Sequence, residues 1–141
     1  MNLTDMLISD EGLRLKPYHC TANKLTIGIG RNLDDVGITE DEARYLLAND
    51  IKRVEQALAR DRVFVALDDN RRIALTNMAF QLGVAGCLSF RKMWSALADE
   101  DWQRAHDEAL NSRWAKQTPA RAKRIAAILL TGTLDSYKGV V

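Results

Sequence analysis

The sequence has little proline, glycine or cysteine. Two prolines and eight glycines in 141 residues leave no flexible linker or low-complexity tract, so we expect no disordered segment. Two cysteines, Cys20 and Cys87, are too few for a disulfide framework. Neither the cysteines nor the two histidines have the spacing of a metal site. We therefore expect no metal and no cofactor.

An excess of charge of one sign is also missing, because 20 Lys and Arg residues balance 19 Asp and Glu residues to a net charge of +1. This balance argues against a nucleic-acid-binding module, which usually carries a strong positive charge. The exception is the segment from Arg113 to Arg124, which has five basic residues and no acid. A solvated helix face is the favoured interpretation of this segment, and contact with an anionic polymer is the alternative.

A long apolar run is missing as well. The first residues, MNLTDMLISDEG, have neither the basic start nor the apolar stretch of a signal peptide. No other segment has the apolar length of a transmembrane helix or anchor. The sequence therefore predicts a protein that is made and kept in the cytoplasm. A substrate outside the membrane would have to be reached with the help of another protein.

The N-terminal third predicts a helix followed by a hairpin. Leu3, Met6 and Leu7 have helical spacing, which predicts a short helix from Met1 to about Asp10. Residues 17–33 differ in character from the helix before them, and Leu25 to Gly30 alternates near a period of two. This range predicts a small antiparallel hairpin with its turn at or near 22–24. Two strands of this length are not stable alone, so they must pack on a helix.

The rest of the sequence predicts helices only. Thr39 and Glu42 form a capping box that opens a helix running to about Arg60. Asp68 or Asp69 caps a very apolar helix that ends at Gly83. Shorter helices are predicted at about 89–98, 101–112 and 119–131, the last with a proline in its first turn.

These elements predict an α+β, mostly helical fold in a single domain of 141 residues. The small N-terminal lobe with the hairpin covers about 1–38. A connecting helix covers about 39–60, and a helical lobe covers about 61–141. A chain of this length can bury a sizeable core without disulfides.

Glu11 is the first candidate for chemistry. It follows an apolar helix and lies beside Asp10 in the sequence. A carboxyl group screened from water and next to another carboxylate can hold its proton near neutral pH and donate it to a leaving oxygen. Local sequence alone favours the plainer interpretation, an exposed glutamate at a helix end.

Three ordered blocks of sequence change that balance. In the first, eight residues separate Glu11 from Cys20 and five separate Cys20 from Thr26. The second block is RRIALTNMAFQ, and the third is SRWAKQTPARAKR, followed by TGT. Together they span nearly the whole chain and resemble the phage-type lysozymes of glycoside hydrolase family 24. A single Glu-Cys-Thr spacing would be a weak signal, whereas three ordered blocks are a strong one.

The resemblance implies a lysozyme-like fold and hydrolysis of peptidoglycan. Glu11 would protonate the glycosidic oxygen of the β-1,4 bond between N-acetylmuramic acid and N-acetylglucosamine. Family members carry Glu, then Asp or Cys, then Thr at these spacings. In members with the aspartate, that carboxylate and the threonine position a water, and the reaction inverts the anomeric centre. Thr26 would supply its hydroxyl to this water.

Cys20 stands at the position where other members have the aspartate. An ordinary thiol has a pKa of about 8.5 and is mostly protonated at neutral pH. As a thiolate, Cys20 could attack the anomeric carbon with retention of configuration, which is the favoured role. Orienting the water together with Thr26 and a buried structural role are the alternatives. A disulfide with Cys87 is disfavoured, because the resemblance places Cys87 in the other lobe.

The resemblance also implies residues that support Glu11 and line a groove. Arg121 would pair with Glu11, and a salt bridge from Arg121 to Asp10 is the alternative. The remaining positions are groove-lining: Phe80, Gln81 and Arg113. The Gln81 amide would bind an N-acetyl group and Arg113 a carboxylate of the peptide stem.

Each groove position has a plainer interpretation. Gln81 could be a buried polar cap and Arg113 an ordinary surface residue. For Phe80, a place in the core is the favoured interpretation. Ala22 and Asn32 depart from the pattern of a family member in the groove, where that member has a carboxylate and an apolar residue. Arg31 replaces a histidine of a structural ion pair.

The partners expected by family analogy are the glycan strands of peptidoglycan and a holin that opens the inner membrane. The protein would be a monomer in the host cytoplasm until it reaches the periplasmic wall and causes lysis. One rival hypothesis is a wall-binding homologue that has lost activity through Cys20. The other is a helical nucleic-acid-binding module using the segment from Arg113 to Arg124.

Overall fold

The computed structural model describes residues 1–140 and divides the chain into two compact units. The first unit is Met1–Leu47, and the second begins at Ala48. The boundary falls inside a long helix, so that helix contributes its start to the first unit and its end to the second. The combination of a small sheet and a mostly helical remainder confirms the predicted α+β class.

The first unit begins with helix α1, Leu3–Glu11. Asn2 caps this helix, because its side chain accepts a hydrogen bond from the Asp5 N–H at 2.9 Å. The helix ends at Gly12, whose φ of 79° belongs to the left-handed region that glycine tolerates. The predicted short helix is confirmed, and Glu11 is its last residue.

A three-stranded antiparallel sheet follows, in the order β1 (Arg14–His19), β2 (Leu25–Gly28) and β3 (Arg31–Asn32). The hairpin of β1 and β2 confirms the prediction, and the Cys20 N–H donates to the Lys24 carbonyl at 3.0 Å across the turn. The expectation of only two strands is wrong. The third strand has only two residues, which are too few for an alternating pattern to be recognised in the sequence.

Helix α2, Glu40–Leu58, starts with the predicted capping box. The Glu42 N–H donates to Thr39 Oγ1 at 3.1 Å, and the Thr39 N–H donates to Glu42 Oε1 at 3.0 Å. These reciprocal bonds satisfy two backbone donors at the helix start. The helix ends two residues before the predicted end at Arg60, a normal uncertainty for a helix terminus.

The second unit contains the end of α2 and a succession of helices. They are α3 (Arg62–Ala66), α4 (Asp69–Leu82), α5 (Val84–Leu88), α6 (Arg91–Ala98), α7 (Trp102–Leu110), α8 (Arg113–Gln117), α9 (Pro119–Thr131) and a 3₁₀ turn, Asp135–Tyr137. Asp68 caps α4 and Gly83 ends it, as predicted, and α9 has the predicted bounds. The short helices α3, α5 and α8 were not predicted, because five residues contain too few turns for a periodic pattern.

The apolar core lies in the second unit. Its largest fully buried apolar side chains come from α2, α4, α6 and α9: Leu58, Leu75, Met78, Met93, Leu97, Ile125, Ile128 and Leu129. In the first unit, all of whose residues are described, the one buried residue is Thr26, at 3% exposure. Burial of a polar residue without an apolar core around it indicates a role beyond packing.

Candidate active site

Thr26 occupies the central strand of the sheet. It lies opposite Tyr18 of β1 and opposite Asn32 of β3. Its hydroxyl donates to the Lys24 carbonyl at 2.8 Å. Because a hydroxyl has one proton, this bond leaves the lone pairs of Thr26 Oγ1 free to accept a hydrogen bond, for instance from a water.

Cys20 lies in the turn between β1 and β2 and is partly exposed. The backbone N–H of Lys24 lowers the pKa of its thiol, and the Ala22 N–H adds a smaller effect in the same direction against partial burial. The Thr26 hydroxyl makes a further, smaller contribution that also lowers this pKa. Backbone donors around a sulfur favour the thiolate, which is the nucleophilic form.

Glu11 ends α1, and its side chain lies against Gly30 in the loop between β2 and β3. A Cβ atom on Gly30 would stand 3.0 Å from Glu11 Oε2 and 3.1 Å from its Cδ. Glu11 and its neighbour Asp10 are both exposed. The first unit therefore holds the three residues predicted to be catalytic, with Cys20 and Thr26 on the hairpin and Glu11 against the adjacent loop.

Arg31 ties strand β3 to the start of α2. Its Nη1 donates to Glu42 Oε1 at 2.8 Å and to the Gly37 carbonyl at 3.1 Å. The hydrogen bond from Arg31 lowers the pKa of Glu42 to about 2, with further help from the Thr39 N–H of the capping box. The site residues predicted from sequence do not include this pair. The capping box places Glu42 at the helix start, but only the fold brings Arg31 to it.

In the second unit, the side chain of Gln81 already makes two hydrogen bonds. Its Oε1 accepts from Trp114 Nε1 at 2.8 Å, and its Nε2 donates to Thr118 Oγ1 at 3.4 Å. These bonds leave one N–H of the amide for a ligand. They also fit the plainer interpretation of Gln81 as a polar cap. The ring of Phe80 is 45% exposed, so the favoured assignment of Phe80 to the core is wrong.

Arg121 is half-buried and binds Asn77. Its Nη2 donates to Asn77 Oδ1 at 2.8 Å and to the Asn77 carbonyl at 3.2 Å, and its Nε donates to Oδ1 at 3.1 Å. Asn77 is not among the predicted site residues, although an amide in an apolar helix requires a polar partner and could have been noticed for that reason. The pairing of Arg121 with Glu11 or Asp10 stays a prediction. Arg113 is exposed at the start of α8.

Cys87 differs from Cys20 in every respect that governs reactivity. It is fully buried in the core of the second unit. Burial raises the pKa of its thiol to about 12, so it stays protonated and inert. Both cysteines are free, so the disulfide considered as an alternative is wrong.

Within residues 1–140, no three His, Cys, Asp or Glu side chains are grouped so that they could hold a metal ion. No helix in the same range combines the length and the apolar character needed to cross a bilayer.

Comparison with known proteins gives consistent results. The family model described as phage lysozyme matches residues 9–129. A probable T4-type lysozyme 2 of Dictyostelium discoideum is 32% identical, and the alignment covers 97% of this chain and 98% of that protein. The pre-baseplate central spike protein Gp5 of Enterobacteria phage T4 is 34% identical over 97% of this chain, which spans only 29% of the spike protein. An endolysin of Acyrthosiphon pisum secondary endosymbiont phage 1 is 38% identical over 52% of each chain.

Proposed function

Because the chain belongs to the phage lysozyme family, it is a glycoside hydrolase acting on peptidoglycan, and we propose that it cleaves the β-1,4 bond between N-acetylmuramic acid and N-acetylglucosamine. The observation that carries the proposal is the first unit, where Cys20 and Thr26 share one hairpin and Glu11 lies against the loop after β2. A carboxyl group, a nucleophile and a water-binding hydroxyl are the groups that glycoside hydrolysis requires.

Glu11 is the general acid. It donates its proton to the glycosidic oxygen as the bond from that oxygen to the anomeric carbon breaks. Its place at the last residue of α1, with an exposed side chain, makes the carboxyl accessible to a polymeric substrate.

Cys20 is the nucleophile. Its thiolate attacks the anomeric carbon while Glu11 protonates the leaving oxygen, and a thioglycosyl intermediate forms. The lowered pKa of Cys20 supports this role, because it raises the thiolate fraction. A water bound to Thr26 Oγ1 then attacks the anomeric carbon and gives a proton to the Glu11 carboxylate. The carbon–sulfur bond breaks, the thiolate is restored, and the product retains its configuration.

The second candidate mechanism gives Cys20 a water-orienting role beside Thr26. The water would then attack directly and invert the anomeric centre. The free lone pairs of Thr26 Oγ1 are compatible with this mechanism as well. NMR of the first anomer released distinguishes the two, since the α-anomer indicates inversion of a β-linkage and the β-anomer indicates retention.

Groove residues of the second unit bind the substrate. The remaining N–H of Gln81 binds an N-acetyl carbonyl, and the exposed ring of Phe80 packs on a sugar face. Arg113 binds a carboxylate of the peptide stem, for which its exposed guanidinium is suited. The guanidinium of Arg121 is oriented by Asn77, and its pairing with Glu11 or Asp10 is implied only by the family resemblance.

The test is the clearing of outer-membrane-stripped Gram-negative cells. We expect Glu11→Gln to lose activity by about 10²-fold or more, since a general acid contributes that much. Cys20→Ser should lose most of the clearing activity, and Cys20→Asp should retain much of it. Glu55→Gln, an exposed glutamate on α2, is the matched control and should leave clearing unchanged. Full activity of Glu11→Gln would contradict the assignment.

In the cell, the protein waits in the host cytoplasm and acts as a monomer on the periplasmic wall after a holin permeabilises the membrane. The inactive wall-binding alternative predicts binding to peptidoglycan without clearing. The nucleic-acid alternative predicts duplex DNA binding at ordinary salt, whereas we expect only weak, salt-sensitive binding.

A further inference from the structure

Two glycines, one at the end of β2 and one in the turn before β3, have the same φ. Gly28 and Gly30 both have a φ of 71°, and they flank Ile29 between the paired residues Ile27 and Arg31. Residues other than glycine are strained at such φ values. By their φ values alone, both positions disfavour a side chain.

The space open to a side chain differs between the two glycines. A Cβ atom on Gly28 would meet no atom within 4 Å. A Cβ atom on Gly30 would stand 3.0 Å from Glu11 Oε2, 3.1 Å from its Cδ and 3.3 Å from its Cγ. All three nearest atoms therefore belong to the side chain proposed as the general acid.

We propose that Gly30 is a positioning residue for the reaction: the absence of a side chain there lets the Glu11 carboxyl group lie against the loop in its working position. The proposal rests on the role of Glu11 given above. Gly30 itself touches no reacting atom and acts through Glu11.

The contact predicts an effect on the reaction rather than on the fold. The Glu11 carboxyl is the far end of a flexible side chain, so a methyl group on Gly30 displaces the carboxyl and leaves the backbone in place. Proton donation requires a heavy-atom distance of about 2.6–3.2 Å to the leaving oxygen. A displacement of about 1 Å can cost about 10²-fold in rate.

Hydrogen bonds of the residues that follow Gly30 fix the position of the turn between β2 and β3. Arg31, the residue after Gly30, is anchored by Glu42 at 2.8 Å and by the Gly37 carbonyl at 3.1 Å. The neighbouring Asn32 accepts from the Asp35 N–H at 3.0 Å and pairs with Thr26 in the sheet. A methyl group on Gly30 is therefore expected to move the Glu11 side chain before it moves the loop.

The test compares Gly30→Ala with Gly28→Ala in the full chain. Both positions have the same positive φ, so we expect each substitution to lower the denaturation midpoint. With soluble glycan strands as substrate, Gly30→Ala should lower kcat by about tenfold or more with little change in KM, while Gly28→Ala keeps kcat within about twofold. A second pair, Gly30→Asn and Gly28→Asn, serves if the alanine variants do not fold, because asparagine tolerates positive φ better.

A double-mutant cycle identifies the route of the effect. If Gly30 acts through Glu11, Gly30→Ala should cause no further loss of the residual rate in a Glu11→Gln background. Equal kcat for the Gly30 and Gly28 variants, or an undiminished loss in the Glu11→Gln background, would overturn the proposal. Neither result would affect the role of Glu11, which instead fails if Glu11→Gln alone keeps full activity.

Discussion

At the scale of single residues, the two cysteines show how position governs chemistry. Cys20 lies in a turn whose backbone N–H groups lower the pKa of its thiol. Cys87 lies in the apolar core, where burial raises its pKa to about 12. The same side chain is therefore a candidate nucleophile in one unit and an inert packing residue in the other.

Alkylation should separate the two thiols. We expect iodoacetamide to modify Cys20 in the native protein at neutral pH and to abolish clearing, while Cys87 reacts only after denaturation. Mass spectrometry of peptides before and after unfolding measures both. The Cys20→Ser variant is the control and should take up no label when folded. Labelling of Cys87 before Cys20 would contradict the assigned environments.

At the scale of secondary-structure elements, two arginines each join separate elements. Arg31 connects β3 to α2 through Glu42. Arg71 of α4 donates from Nε to the Leu129 carbonyl at 2.8 Å and from Nη2 to the Leu130 carbonyl at 3.2 Å, near the end of α9. The guanidinium of Arg71 also lies 3.7 Å from the centre of the Trp102 ring. Each arginine satisfies groups that its own helix or strand could not reach.

The Arg31–Glu42 pair predicts a pH-dependent contribution to stability. The folded pKa of Glu42 is about 2, below its ordinary 4.5, so folding favours the charged form. This stabilisation is fully present above about pH 4.5 and is lost as the pH falls towards 2. Glu42→Gln should therefore melt below the wild type at pH 7, and thermal scans should show the difference shrinking across that window.

The control for this prediction is Glu40→Gln. Glu40 forms a highly exposed pair with Arg44 on the same helix, and such pairs contribute little. We expect its melting temperature to follow that of the wild type at each pH. A Glu42→Gln deficit that stays constant down to pH 2 would argue against the ion pair as its cause.

The Arg71 contact predicts a large effect of removing the guanidinium. Arg71→Met leaves carbonyls of α9 without their donor, and unsatisfied buried groups cost about 1–3 kcal/mol each. We expect a loss of about 2–4 kcal/mol of unfolding free energy in urea titrations. Arg72→Met is the matched control, because Arg72 pairs with the exposed Asp69 and should cost under about 1 kcal/mol. Equal losses for the two variants would contradict the stabilising role of the hydrogen bonds from Arg71 to the α9 carbonyls.

At the scale of the whole molecule, the two units differ in how they are stabilised. The second unit has a continuous apolar core formed by several helices. In the first unit, Thr26 is the one buried residue, and hydrogen bonds of the sheet, the capping box and the Arg31–Glu42 pair join its elements. Segments with few buried apolar contacts open at lower free energy.

Hydrogen exchange should reflect this difference. We expect amides of β1, β2 and α1 to exchange faster than those of α4, α6 and α9 under native conditions. Mass spectrometry of exchanged peptides, or NMR, would measure it. Equal protection across the chain would indicate that the molecule unfolds only as one cooperative unit.

Local signals determined much of this protein from the sequence alone. The capping box at Thr39 and Glu42, the cap at Asp68 and the stop at Gly83 depend on neighbouring residues only, and the structure confirms them. The spacing of Glu11, Cys20 and Thr26 is likewise a property of the chain, and with the later blocks it was sufficient to identify the family.

The tertiary structure decided what depends on contacts between separate elements. The partners of Arg31, Arg71 and Arg121, the two-residue strand β3 and the opposite surroundings of the two cysteines have no local signature. The same holds for Gly30, which in sequence is indistinguishable from Gly28. Contacts and burial arise only when the chain folds. The hydrogen bonds of a residue, its pKa and the space left for its side chain are set by the neighbours that folding brings to it.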